Sequence, residues 1–123
     1  MSNDLKDRTK RYALDILRSC SALPNQPEFR CNGNQLMRAG TSVGADYRSD
    51  CLSKSKADFI SKLSIVEEEA DESEYWLELV ENRSPANRVG LSRLKSDASQ
   101  LVAIMVQSKK TARIPVRNSK FAI

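Results

Sequence analysis

The densest concentration of reactive groups in this sequence is acidic. Nine carboxylates fall within residues 55 to 83, among them Glu67, Glu68, Glu69, Asp71, Glu72 and Glu74. Carboxylates on bundled helices can build a di-metal centre, but such centres draw them from several helices and add Glu-x-x-His pairs. This chain has no histidine, and its acids crowd one segment. The same lack removes the commonest general base and transition-metal ligand, and with them a zinc site or a Ser-His type triad. Cys20, Cys31 and Cys51 are odd in number and show no C-x-x-C spacing. Each lies on or near an apolar stripe, so small buried hydrophobes account for them. The turn of small residues from Ala39 to Ala45, AGTSVGA, could suggest a phosphate-cradling loop, yet no Gly-Lys-Ser/Thr follows and no strand precedes it. The expectation is a protein that is not an enzyme and holds no cofactor or metal.

What remains is electrostatics. Residues 1 to 54 carry nine basic and six acidic side chains, residues 55 to 83 three and nine, and residues 84 to 123 eight and one. A chain so divided can pair its own helices, pair neighbouring copies, or offer a basic face to phosphates. Lys109, Lys110, Arg113, Arg117 and Lys120 are the expected contact with RNA or DNA backbone. Complementation of a helix C-terminal dipole is the competing account for the first three. No RRM, KH or zinc-knuckle pattern is present, and most of the aromatics sit on apolar stripes, so binding would be electrostatic and weakly sequence-selective. The alternative is a protein-protein interaction scaffold that never touches nucleic acid.

Four periodic segments must position these groups. Leu5, Thr9, Tyr12, Ile16, Cys20 and Leu23 recur every three or four residues between Asp4 and Leu23, with Ser2 or Asn3 as cap and Pro24 as stop. The second helix opens near Pro27 and runs to about Leu52 on Leu36, Gly40, Val43, Tyr47 and Cys51. Gly40 and Gly44 each cost a helix about 1 kcal/mol relative to alanine, which predicts a compensating close approach of another helix. The third stripe is Phe59, Leu63, Val66, Ala70, Ser73, Leu77 and Val80, capped by Ser53 or Ser55 and ended before Pro85. A second stripe on that helix, Ile65, Trp76 and Leu79, lies about 110° from the first, with Glu69 and Glu72 inside it. Glu67, Asp71, Glu74 and Glu78 form a separate acidic face. Two apolar faces on one helix predict an oligomer interface at Ile65, Trp76 and Leu79. The fourth helix, about Asn87 to Arg113, carries Leu91, Leu94, Ala98, Leu101, Met105, Ser108 and Ala112.

These elements give an all-α, antiparallel up-down-up-down four-helix bundle over residues 1–113, followed by a basic C-terminal tail over 114–123. Arg38 projects from the second helix away from its Leu36 stripe, at about the axial level that the acidic helix could reach, so Arg38 with Glu69 or Glu72 is the expected buried ion pair, fixing helix register more than adding stability. With no secretory h-region or long apolar run, the chain is expected in the reducing cytoplasm, away from membranes.

The stretch QLMRAGTSVGADYRSD, Gln35 to Asp50, followed by SKADFISKLSIVEEEADESEYWLELV, Ser55 to Val80, resembles the four-helix-bundle proteins encoded in intervening sequences of bacterial large-subunit rRNA genes. RYALDILRSCSALP, Arg11 to Pro24, and the run Ile104 to Arg113 are similar to that family's first and fourth helices. The resemblance implies a ring-like homopentamer and a kinship with the accessory proteins of diversity-generating retroelements, which bind nucleic acid and a reverse transcriptase. Arg38 and Tyr47 match the family's RAGTSVGA-x-Y helix, and Glu68, Glu69, Glu72, Tyr75 and Trp76 its EEADE-x-x-YW helix. Asp46 stands where relatives usually carry asparagine, and the added negative charge argues against a phosphate contact at that turn.

Overall fold

The computed structural model describes residues 2–83 and 88–115, apart from the side chains of residues 2, 3 and 88. Four helices follow one another, α1 Ser2–Ser21, α2 Pro27–Asp50, α3 Lys56–Arg83 and α4 Arg88–Arg113, and no strand occurs among the described residues. The order of helices and their mutual packing are those of a four-helix bundle. Each helix packs on its chain neighbours, and α1 meets α4 through a sparser seam.

The ends follow from local chemistry. α1 stops two residues short of Leu23, whose amide, like that of Ala22, turns back in the tighter pattern typical of a closing helix. Pro27 sits in the first turn of α2, where its missing N–H costs nothing, and Gln26 precedes it in extended conformation. Of the two serines expected to cap α3, Ser55 does so, its Oγ accepting from the Asp58 amide at 3.1 Å. Ser53 is buried instead and donates to Asp50 Oδ1 at 2.8 Å. Pro85 and the tail from residue 116 lie outside the described residues.

The core is the union of the four stripes: Tyr12 and Ile16, Leu36, Val43 and Tyr47, the α3 series from Leu63 to Val80, and Leu91, Leu94, Ala98, Leu101 and Met105. Two features within it go beyond apolar contact. A Cβ added to Gly40 would lie 2.9 Å from Ile16 Cγ1, and one added to Gly44 would lie 3.3 Å from the Thr9 carbonyl oxygen. Gly33 extends the series, 3.3 Å from Leu23 Cδ1 by the same measure. The glycines of α2 thus let the α1 backbone approach closer than any side chain would permit. The second feature is polar. The Tyr12 hydroxyl lies 2.6 Å from Ser73 Oγ, joining α1 to α3 across the bundle. Ser73 donates its own proton to the Ala70 carbonyl at 2.8 Å, so Tyr12 is the donor between them. Both groups are buried, and both are satisfied.

Glycine in a helix thus has opposite consequences at two places in this chain. Gly40→Ala gains helix propensity but drives a methyl into the stiff, β-branched base of Ile16, so it is expected to lower stability by about 1 kcal/mol or more net. Gly90 has open space at the same position, and Gly90→Ala is expected to raise stability by about 0.5 kcal/mol. Urea denaturation of the two variants checks the signs; two gains would show that α1 yields to the added methyl.

Candidate functional site

α3 carries chemistry on three flanks. Toward α4 stand Glu67, Glu74 and Glu81, spaced by sevens so that they share one side of the helix. Lys109 Nζ lies 2.7 Å from Glu67 Oε1 and donates to Ser64 Oγ at 3.1 Å. Ser99 donates to Glu74 Oε2 at 2.7 Å. Lys95 donates to Glu81 Oε1 at 3.0 Å, and Ser92 donates to the same carboxylate. The hydrogen bond to Glu81 holds the Lys95 ammonium above its ordinary value, against the opposing effect of partial desolvation. Part of the acidic face therefore ties two helices together. Lys109, placed by sequence among the nucleic-acid contacts, is committed to this seam with only 16% of its side chain exposed.

Toward α2, Arg38 reaches both expected partners. Its Nη1 lies 3.4 Å from Glu69 Oε2, its Nη2 donates to Glu72 Oε2, and its Nε donates to Gln35 Oε1 at 3.2 Å. Trp76 Nε1 donates to the same Glu72 oxygen at 3.1 Å. The pair is not buried as expected: the Arg38 side chain is 49% exposed. Arg38 extends along the outside of the α2–α3 seam, where a long side chain keeps its charge in water. Desolvation pushes the Glu69 carboxyl above its ordinary value, and Arg38 opposes this without cancelling it, since Glu72, Asp46 and Glu68 push the same way as burial.

The outward flank bears the second apolar stripe. Ile65 is 46% exposed and Tyr75 53%, while Trp76 and Leu79 are partly covered. Trp76 packs against its own core, and the Tyr75 ring meets it edge-on, with centroids 5.0 Å apart and planes at 66°. The aromatic presented to the outside is thus Tyr75 more than Trp76. Glu68 is exposed beside them.

A groove that the sequence did not announce runs along the α1–α2 seam. It encloses about 570 Å³, with Ala13, Thr41, Gly44 and Ala45 along its floor and Lys6, Lys10 and Arg48 at its rim beside Asp7. Close approach of the two helices leaves only small residues at the surface of the seam. The signal was present in the four-residue spacing of Lys6 and Lys10, facing away from the Leu5 and Thr9 stripe. At the end of α4, Lys110 and Arg113 are exposed; Arg117 and Lys120 lie outside the described residues. Among the described residues no three cysteines or carboxylates are grouped to hold a metal, and no helix is long and apolar enough to cross a membrane.

The thiols occupy unlike environments. Cys31 is exposed, whereas Cys20 packs on the core with its Sγ 3.6 Å from the Gly33 carbonyl, and burial pushes its thiol up to about 11.

Compared with known proteins, residues 2–107 match the family model described as 23S rRNA-intervening sequence protein. The crystal structure of a protein with unknown function from the S23 ribosomal protein family of Bacteroides thetaiotaomicron is similar at a TM-score of 0.80 and 32% identity, covering 89% of this chain and 97% of that one. None of the curated proteins matches.

The contrast between the cysteines gives a measurable outcome. Alkylation at neutral pH should label Cys31 rapidly and Cys20 only as fast as the fold opens. Because the fold keeps Cys20 protonated up to about 11 against an ordinary value of 9.0, its contribution to stability is full below pH 9 and is lost as pH rises through 11. Equal labelling rates followed by peptide mass spectrometry would place Cys20 at the surface.

Proposed function

The chain belongs to the 23S rRNA-intervening sequence protein family, and on that premise we propose that it is a non-enzymatic, homo-oligomeric bundle that binds the backbone of RNA or DNA through one end of the fold. The observation that carries this reading is the sense in which the helices pair. Going up α2, Gly33, Gly40 and Gly44 meet Leu23, Ile16 and Thr9 in descending order. Going up α3, Glu67, Glu74 and Glu81 meet Lys109, Ser99 and Lys95. Arg83 near the end of α3 meets Glu28 near the start of α2, 3.3 Å apart. Such pairing supports the reading of an antiparallel, up-down-up-down bundle. It gathers the start of α1, the end of α2, the start of α3 and the end of α4 at one pole.

That pole holds Lys6, Lys10, Arg48, Lys54 and Lys56 together with Lys110 and Arg113, set among Asp4, Asp7, Asp46, Asp50 and Asp58, and the reading adds Arg117 and Lys120 of the tail, which follow α4 in the chain. Clustered cations of this kind neutralise phosphates and release counterions, which makes affinity steep in salt and blind to base sequence. In a closed ring, the pentamer of this reading, several poles would act together, and individually weak contacts would become strong through effective concentration. The reading extends to a cytoplasmic setting and to kinship with the accessory proteins of diversity-generating retroelements, whose reverse transcriptase is the kind of protein partner it would have. Lys109, paired with Glu67, contributes to the bundle and not to the ligand.

Lys110→Gln/Arg113→Gln is expected to weaken filter binding to both RNA and DNA at unchanged helicity. The slope of log affinity against log salt should flatten by about 0.7–0.9 for each phosphate that is no longer neutralised. Lys109→Gln should instead leave binding in place and cost about 1 kcal/mol of stability, through the loss of its carboxylate partner. If wild type binds neither nucleic acid at low salt, a protein-protein scaffold replaces this reading.

A further inference from the structure

We propose that the groove along the α1–α2 seam receives the outer flank of α3 from a second copy of this chain, so that each copy joins its neighbours through two different faces. The proposal rests on the oligomeric part of the reading above and assigns its surfaces. The two faces differ in shape and charge in matching ways. The flank is a ridge, with Ile65 and Tyr75 half exposed and Leu79 partly so, and Glu68 exposed among them gives it a negative charge. The groove is a trough floored by Ala13, Thr41, Gly44 and Ala45 and rimmed by three cations against one carboxylate.

Large side chains fill a floor of small ones, and Glu68 meets a rim of opposite sign; like surfaces on two copies could not do either. Ridge against ridge would bring two acidic flanks together, and groove against groove would bring two basic rims together and leave the floor empty. Beyond the groove on the same seam, Leu17 is exposed one turn past Ala13 and Met37 is half-buried one turn before Thr41. The groove runs about 10.5 Å along α1 from Lys6 to Ala13, so it receives part of the ridge, which runs about 21 Å along α3 from Ile65 to Leu79. Because the faces are different, the contact is heterologous, and copies joined this way close into a ring or grow without limit.

The experiment uses charge reversal on each face of the full chain, with mass read by analytical ultracentrifugation and folding by circular dichroism. Lys6→Glu/Lys10→Glu alters only the groove, and Ile65→Lys/Glu68→Lys only the ridge. Each is expected to sediment as a folded monomer. Mixed in equal amounts, the first variant's native ridge meets the second's native groove and the second's reversed ridge meets the first's reversed groove, so the two should co-assemble beyond the monomer. Carrying both sets of changes in one chain should restore the wild-type mass. Should the lysine reversal lose helicity, Ala45→Trp, which fills the exposed floor, takes its place in the same mixing test. Wild-type mass in either variant, or monomers after mixing, overturns the surface assignment while leaving the oligomer standing. A monomeric wild type overturns both, and the nucleic-acid reading is then judged by filter binding alone.

Discussion

The approach of α1 to α2 sets the geometry on which the remaining contacts depend. Gly40 and Gly44 give up helix propensity, about 1 kcal/mol each, and in return the α1 backbone comes within van der Waals reach of α2. That approach lets Tyr12, one turn along α1 from Thr9, extend over the core to Ser73 on the diagonal helix. Moving α1 outward by the width of a side chain would strand a phenol and a hydroxyl in an apolar interior, at the cost of desolvation without compensation. Burial already pushes the Tyr12 phenol well above its usual value, and the Ser73 hydrogen bond offsets only part of that. The close approach also has an outer side: the small residues that admit α1 floor the surface groove between Lys6, Lys10 and Arg48.

α3 completes the arrangement by dividing its circumference among three tasks. Its core stripe is fully covered, its two flanking rows of carboxylates reach α2 and α4, and its outer side keeps Ile65 and Tyr75 half exposed. The flanking pairs are only partly covered, and pairs of this kind are worth about 1 kcal/mol each, so the apolar core dominates stability while the pairs select alignment. Lys109 is the most sheltered of the cations in these pairs.

Much of this was legible because a helix repeats every 3.6 residues and burial selects one face. The stripes, the glycine contact, the identity of the Arg38 partners and the bounds of α1, α2 and α4 to within two residues could be read in that way. Depth could not. Periodicity gives the direction in which Arg38 points but not how far out along a seam it lies, and the pair is half exposed. Nor does it distinguish a lysine left exposed, as Lys110 is, from one that faces Glu67, because both stand in the last turns of a basic helix. The groove is not legible in periodicity, because small residues at a helix contact signal what they admit on one side and not the space they leave on the other. The seven-residue recurrence of Glu67, Glu74 and Glu81 is present in the sequence, but the acidic face expected from periodicity, Glu67, Asp71, Glu74 and Glu78, leaves Glu81 out.

That recurrence works as a vernier. Two lysines, Lys95 and Lys109, stand two heptads apart on α4 and meet Glu81 and Glu67, also two heptads apart. A slip of α4 by one heptad, about 10.5 Å, would preserve the apolar repeat and so escape the hydrophobic penalty that punishes other shifts. It would not escape the charges. Sliding one way carries Lys95 to Glu74 but sets Lys109 beside Ile60; sliding the other way carries Lys109 to Glu74 and leaves Lys95 past Arg83, where α3 has ended. Either misalignment strands one ammonium, and only the native alignment seats both.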